Sequence, residues 1–267
     1  MIYDTIVKTE GKKKMEVVLL TALGVGGATV IGAAIGFLFK NISHKFSDIV
    51  LSFAAGVMLA AAVLGLVIPA VEFGGGGVIG VLIATLGIFL GAICLNLVDK
   101  LVPHLHKLAG VDFETHKENP KIGKILLFVF TIAIHNLPEG IAAGVGFGSG
   151  NTAEALVIAG GIALQNIPEG MVIIAPMLSA GISKKRTFIY AALTGIVEVI
   201  GTFIGYFAVS IATAILPYAL AFAGGTMLYI ISDEMIPETH AHGGQRGATY
   251  ALLVGFCLML AFDILIG

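Results

Sequence analysis

Tryptophan is absent from this sequence, and Asp, Glu, Lys and Arg together make up only 12% of its 267 residues. A soluble domain carries roughly twice that share of charge, so a chain that is 57% hydrophobic has no means of hiding its apolar surface from water. The net charge of −2 leaves no excess of either sign and gives no footing for nucleic acid or another polyanion. Cysteine occurs twice, as Cys94 and Cys257, both inside apolar runs, so no disulfide framework is implied. The first apolar run is too long for a signal-peptide core and lacks a cleavage site, so it reads as a retained helix. Glycine, in contrast, is abundant at 36 residues. Small residues let membrane helices approach closely where no hydrophobic effect draws them together.

Crossing about 30 Å of hydrocarbon takes about 20 helical residues. Runs of that length predict eight spans, at about 17–39, 49–71, 73–98, 125–147, 155–181, 187–210, 218–236 and 247–267. A loop at 99–124 separates the third from the fourth, and Pro217 divides one long run into the sixth and seventh. The expected fold is an all-α integral membrane protein, with residues 1–267 forming one transmembrane domain. Eleven of the fifteen lysines and arginines fall in the odd-numbered loops: Lys40, Lys45, Lys100, Lys107, Lys117, Lys121, Lys124, Lys184, Lys185, Arg186 and Arg246. Those loops are expected in the cytoplasm and both termini outside, although Lys8, Lys12, Lys13 and Lys14 argue the other way.

The polar content of the spans is concentrated in an internal repeat. His135-Asn136-Leu137-Pro138-Glu139-Gly140 in span four returns in span five as Gln165-Asn166-Ile167-Pro168-Glu169-Gly170. The two helices run in opposite directions, so the copies face each other about a two-fold axis in the membrane plane, as in inverted-repeat transporters. Within each copy, residues four apart share a helical face, which stacks His135 on Glu139 and Gln165 on Glu169. Each proline removes an N–H and is expected to bend its helix, freeing a carbonyl near the same depth.

Glu139, Glu169 and Glu198 lie near mid-span, where a charged carboxylate costs about 2.5 to 3.5 kcal/mol on insertion scales. Such a group calls for protons or a compensating cation. Carboxylates, one imidazole and amide oxygens, without cysteine, suit Zn, Fe(II), Mn or Co rather than Cu(I). The competing explanation is polar glue between helices. It accounts poorly for two glutamates at matched depth beside two prolines, and better for Glu198 alone. Among the other histidines, His104 and His106 follow Asp99 closely, and Asp233, Glu234 and Glu238 end span seven; these residues are candidates for a cytoplasmic exit. His44, His116, His240 and His242 read as solvated loop residues, and Asp263 has no assigned part.

At these motifs the sequence resembles the ZIP family of metal transporters, most closely its prokaryotic GufA-like branch, over nearly the whole chain. The resemblance implies a primary metal site of His135, Glu139, Gln165 and Glu169, with Met58 as a soft ligand. It also implies an adjacent second site of Asn136, Asn166 and Glu198, sharing the two signature glutamates. Related members can carry Asp where Asn166 stands, so this pocket is less anionic here. Uptake of a divalent metal, zinc foremost and Fe, Mn, Co or Cd as others, follows from the likeness. So does elevator-like motion of helices one, four, five and six against two, three, seven and eight, within a homodimer of a bacterial inner membrane. No prosthetic group is expected; the metal is cargo. An exporter of the same ions is the alternative, and an intramembrane zinc hydrolase a weaker one, since only His135 is intramembrane and no HExxH pair exists.

Overall fold

A computed structural model describes the backbone of residues 2–39, 43–108, 120–179, 181–241, 243 and 245–266. Within these, the side chains of residues 2–10, 99, 101–108, 120–131, 176, 179 and 213 are not described. Among the described residues, long apolar runs with few breakers form eight helices: α1 (Ile2–Gly36), α2 (His44–Phe73), α3 (Gly77–Leu108), α4 (Pro120–Gly146), α5 (Thr152–Ser179), α6 (Lys184–Ile211), α7 (Leu216–His240) and α8 (Gln245–Ile266). Among the described residues there is no strand. Seven of the helices are long and apolar enough to cross a membrane on their described residues, and α4 adds a 27-residue helix. Their outward faces are apolar, as with Leu82, Leu86, Phe89 and Ile93 on α3, which is the pattern of a lipid-facing helix.

The packing divides the helices into two sets. The most extensive contacts are α4 with α6, α1 with α5 and α1 with α6 in one set, and α2 with α8 and α3 with α7 in the other. Exchanging α1 with α6, α2 with α7, α3 with α8 and α4 with α5 maps these pairs onto one another. Successive helices reverse direction, so this correspondence is an inverted repeat.

Glycine explains how each set closes. Gly26 and Gly195 lie on each other's backbone, Gly170 lies on Thr29, Gly140 on Glu198, Gly144 on Thr202, Gly255 on Phe53 and Gly91 on Phe222; a Cβ at any of these would overlap a backbone atom. Between the sets the glycines meet side chains instead, with Gly65 facing Ile158 and Gly161 facing Met259.

Irregular backbone appears in α2 and α7, at Ala61–Val67 and Ile231–Met235. There the turns widen: Ile68 N–H bonds to the Val63 carbonyl and Ile236 N–H to that of Ile231, each five residues back. Pro69 and Pro237 follow immediately. A proline ring collides with the carbonyl four residues earlier in a regular turn, and a π-type turn relieves the collision. Helices α4 and α5 continue as helix through Pro138 and Pro168.

Candidate metal site

The repeated hexapeptide sits inside the bundle. His135 is 6% exposed, Glu139 1%, and Asn136, Gln165, Asn166 and Glu198 are fully buried; Glu169 is half-buried. His135, Glu139 and Glu169 line a cavity of about 650 Å³ that runs to the exposed residues Asp233, Glu238 and Ala241 at the end of α7. Glu234 of α7 also lines it, and its Oε1 stands 3.0 Å from His135 Nε2 of α4. This contact joins the two helix sets. The π-type turn that carries Asp233 and Glu234 presents both carboxylates to the same cavity. On the far side of the site, Ala142, Ala143 and Ile162 pack with Leu66, Leu220 and Met227 in the main apolar cluster. Polar access is therefore from one end.

Several buried polar atoms have no hydrogen-bond partner within the protein: Glu139 Oε2, Asn136 Oδ1, Asn166 Oδ1 and both amide atoms of Gln165. Buried polar groups are ordinarily satisfied. These five atoms belong to the repeat, and most are oxygens that attract a cation; outside it, the hydroxyls of Ser52 and Thr187 are likewise buried without a partner. Among the described residues, no three His, Cys, Asp or Glu side chains lie close enough to hold a metal by themselves. An ion bound here has to draw on amide or thioether donors as well.

Glu198 is differently placed. Its Oε1 accepts from Thr29 Oγ1 at 2.6 Å and from Asn136 Nδ2 at 2.5 Å, and its Oε2 accepts from Asn166 Nδ2 at 2.5 Å. Hydrogen bonds to a charged group are worth about 1.5 to 3 kcal/mol each, so three of them offset an insertion cost of about 2.5 to 3.5 kcal/mol.

A chain with this pair of facing hexapeptides can be compared with known proteins. The sequence model of the family described as ZIP Zinc transporter matches residues 115–263. A protein named zinc transporter GufA from Myxococcus xanthus is 40% identical over 253 residues, covering 93% of this chain and 98% of the relative. The chain belongs to the ZIP family. Zinc transporter ZIPB of Bordetella bronchiseptica is 33% identical, covering 96% of this chain and 84% of its own, and zinc transporter ZIP11 of Homo sapiens is 32% identical, covering 97% and 99%. These relatives are transporters, and the hydrolase reading of the ZIP chain falls with that.

Of the expected exit residues, Asp233, Glu234 and Glu238 join the cavity of this ZIP chain. Asp99, His104 and His106 lie on α3, with side chains outside the described residues, as are His116 and His242. Met58 is fully buried in the main apolar cluster and is not among the residues lining the cavity. His240 is locally engaged, its Nδ1 lying 2.9 Å from the Ile236 carbonyl and its Nε2 3.2 Å from Thr249 Oγ1. Sequence reasoning missed Thr29, one of two threonines in an apolar run, whose partner lies 169 positions away. It also missed that Asp263 shares a pocket of about 250 Å³ with Glu72 and Glu154 at the opposite end of the molecule, because the three come from separate helices.

Proposed function

We propose that this protein is a zinc transporter that takes the ion into the cytoplasm. The ion's ligands are drawn from His135, Glu139, Gln165 and Glu169, with Asn136 and Asn166 beside them and Met58 as a soft donor from the opposite helix set. The observation that carries this reading is the group of buried, unpartnered oxygens in the repeat, whose Glu139 and Glu169 line a one-ended cavity. Zinc is favoured over harder cations by the imidazole and the borderline donor set, and the relatives' names agree.

The packing supports an elevator-type mechanism. His135, Asn136, Glu139, Gln165, Asn166 and Glu169 all ride on α4 and α5, in the set that glycine contacts join backbone to backbone with α1 and α6. That set carries the ion as one body past α2, α3, α7 and α8, across an interface of side chains. In the conformation described, the cavity reaches the face bearing the odd-numbered loops, which the positive-inside rule assigns to the cytoplasm. Glu234 meets His135 there and receives the ion as it leaves, with Asp233 and Glu238 farther out. Both termini then lie outside an inner membrane. A homodimer is the assembly proposed from the family resemblance.

Zinc flux into proteoliposomes, with the gradient and pH set on each side, tests substrate, direction and proton coupling together. Uptake driven by inward zinc is expected. Flux confined to the outward direction would make the protein an exporter, and no flux of any divalent metal would overturn the reading.

A further inference from the structure

We propose that Glu198 is a positioning residue that aims the side chains of Asn136 and Asn166 at a single transported ion, and is not itself the ligand of a second one. The inference rests on the reading of the repeat as the transport site.

Each oxygen of a carboxylate has about two acceptor positions. In Glu198, Oε1 has both taken, by Thr29 and Asn136, and Oε2 has one taken by Asn166. The amide nitrogen of Asn166 also lies 3.3 Å from the Val25 carbonyl. Turning this amide over would set its oxygen against two other oxygens, so a single orientation satisfies it. Both asparagines therefore show N–H to Glu198, and an N–H group has no lone pair for a metal. Their oxygens point away from Glu198, buried and without a partner in the protein. An ion between Glu198 and the asparagines would face donors of the wrong kind. An ion on the side away from Glu198 would face oxygens, and Glu139 and Gln165 of the same repeat add unpartnered oxygens of their own.

Glu198 thus stands behind the ligands, where a carboxylate fixes the orientation of the groups that touch the metal. The four participants come one each from α1, α4, α5 and α6, so the pin also ties the four helices of the mobile set at the depth of the site. An aspartate at position 166 would lose the N–H, present an anion to Glu198 and break the arrangement.

The test is zinc titration calorimetry on purified protein, alongside transport kinetics, for wild type, Glu198→Gln, Asn166→Asp and Glu139→Ala. Glutamine at 198 turns an N–H towards an asparagine N–H and spoils the aim. Wild type should bind one zinc per protomer. Glu198→Gln should still bind one, about 10 to 100-fold more weakly, with KM raised by a similar factor and the maximal rate changed far less. A purely structural defect would instead lower the maximal rate and the bound fraction at unchanged KM. Asn166→Asp, with a second acid in the pocket, should bind two. Two ions in wild type falling to one in Glu198→Gln would overturn the inference alone, as would unchanged affinity in that variant. Normal binding by Glu139→Ala would instead overturn the transport site on which it rests.

Discussion

Burial alone does not tell what a membrane carboxylate does; the groups facing it do. Glu198 faces three hydrogen-bond donors, whereas Glu139 keeps a buried oxygen with no partner in the protein and Glu169 lines the cavity. Glu139→Ala and Glu169→Ala should each abolish zinc flux while leaving a folded, membrane-inserted protein, measured as uptake normalised to the amount of monodisperse protein recovered. Near wild-type flux in either variant would mean that the site lies elsewhere. His135→Ala removes the one imidazole of the site among the described residues, and loss of a direct ligand should weaken zinc binding at least as much as loss of an outer-shell partner, about 10 to 100-fold. Most flux at low zinc should disappear in that variant and return in part as zinc is raised, and a loss that no concentration restores would exclude a ligand role.

Glycine settles how near the helices approach, and the cost of adding a methyl group depends on what the methyl meets. At Gly140 it meets the Glu198 backbone, which cannot step aside; at Gly160 it meets nothing within 4 Å. Gly140→Ala should therefore destabilise the protein by about 1 to 3 kcal/mol, the usual cost of overpacking, and Gly160→Ala should stay within about 0.5 kcal/mol of wild type. Thermal melting of the detergent-solubilised variants checks both, and equal melting temperatures would show that the α4–α6 contact is looser than described. The widened turns of α2 and α7 belong to the same scale. They lie in helices exchanged by the inverted repeat and precede Pro69 and Pro237, which fall outside the hexapeptides and, being near helix ends, look like ordinary boundaries in the sequence.

If one helix set travels past the other, a covalent tie between them must stop transport. Position 65 on α2 and Ile158 on α5 are suited to such a tie, because a Cβ built at Gly65 lies 3.8 Å from the Ile158 Cβ, the mean separation in disulfides. With Cys94 and Cys257 replaced, the pair Gly65→Cys and Ile158→Cys should lose transport on oxidation and regain it on reduction; full activity in the oxidised form would rule out relative motion at this contact. Orientation is read at this scale as well. A cysteine introduced in the loop between α3 and α4 should react with an impermeant thiol reagent only from the cytoplasmic side, as the basic residues direct, and labelling of intact cells from outside would invert the topology.

Apolar run length, basic residues in the loops and the doubled hexapeptide are local patterns, and they suffice for eight spans, an expected orientation and the residues with donor chemistry. Membrane insertion makes this legible, because each span must be apolar over the full hydrocarbon thickness and every polar exception stands out. Tertiary structure alone decided which donors face which. Glu198 and Thr29 are 169 positions apart, and the orientation of an asparagine amide depends on acceptors brought in by other helices. The meeting of His135 with Glu234 was equally hidden, since it requires two helix sets to be packed with the cavity open at one end. Spacing along one helix determines which residues share a face; which oxygen is saturated and which is left for an ion is settled only when four helices close around them.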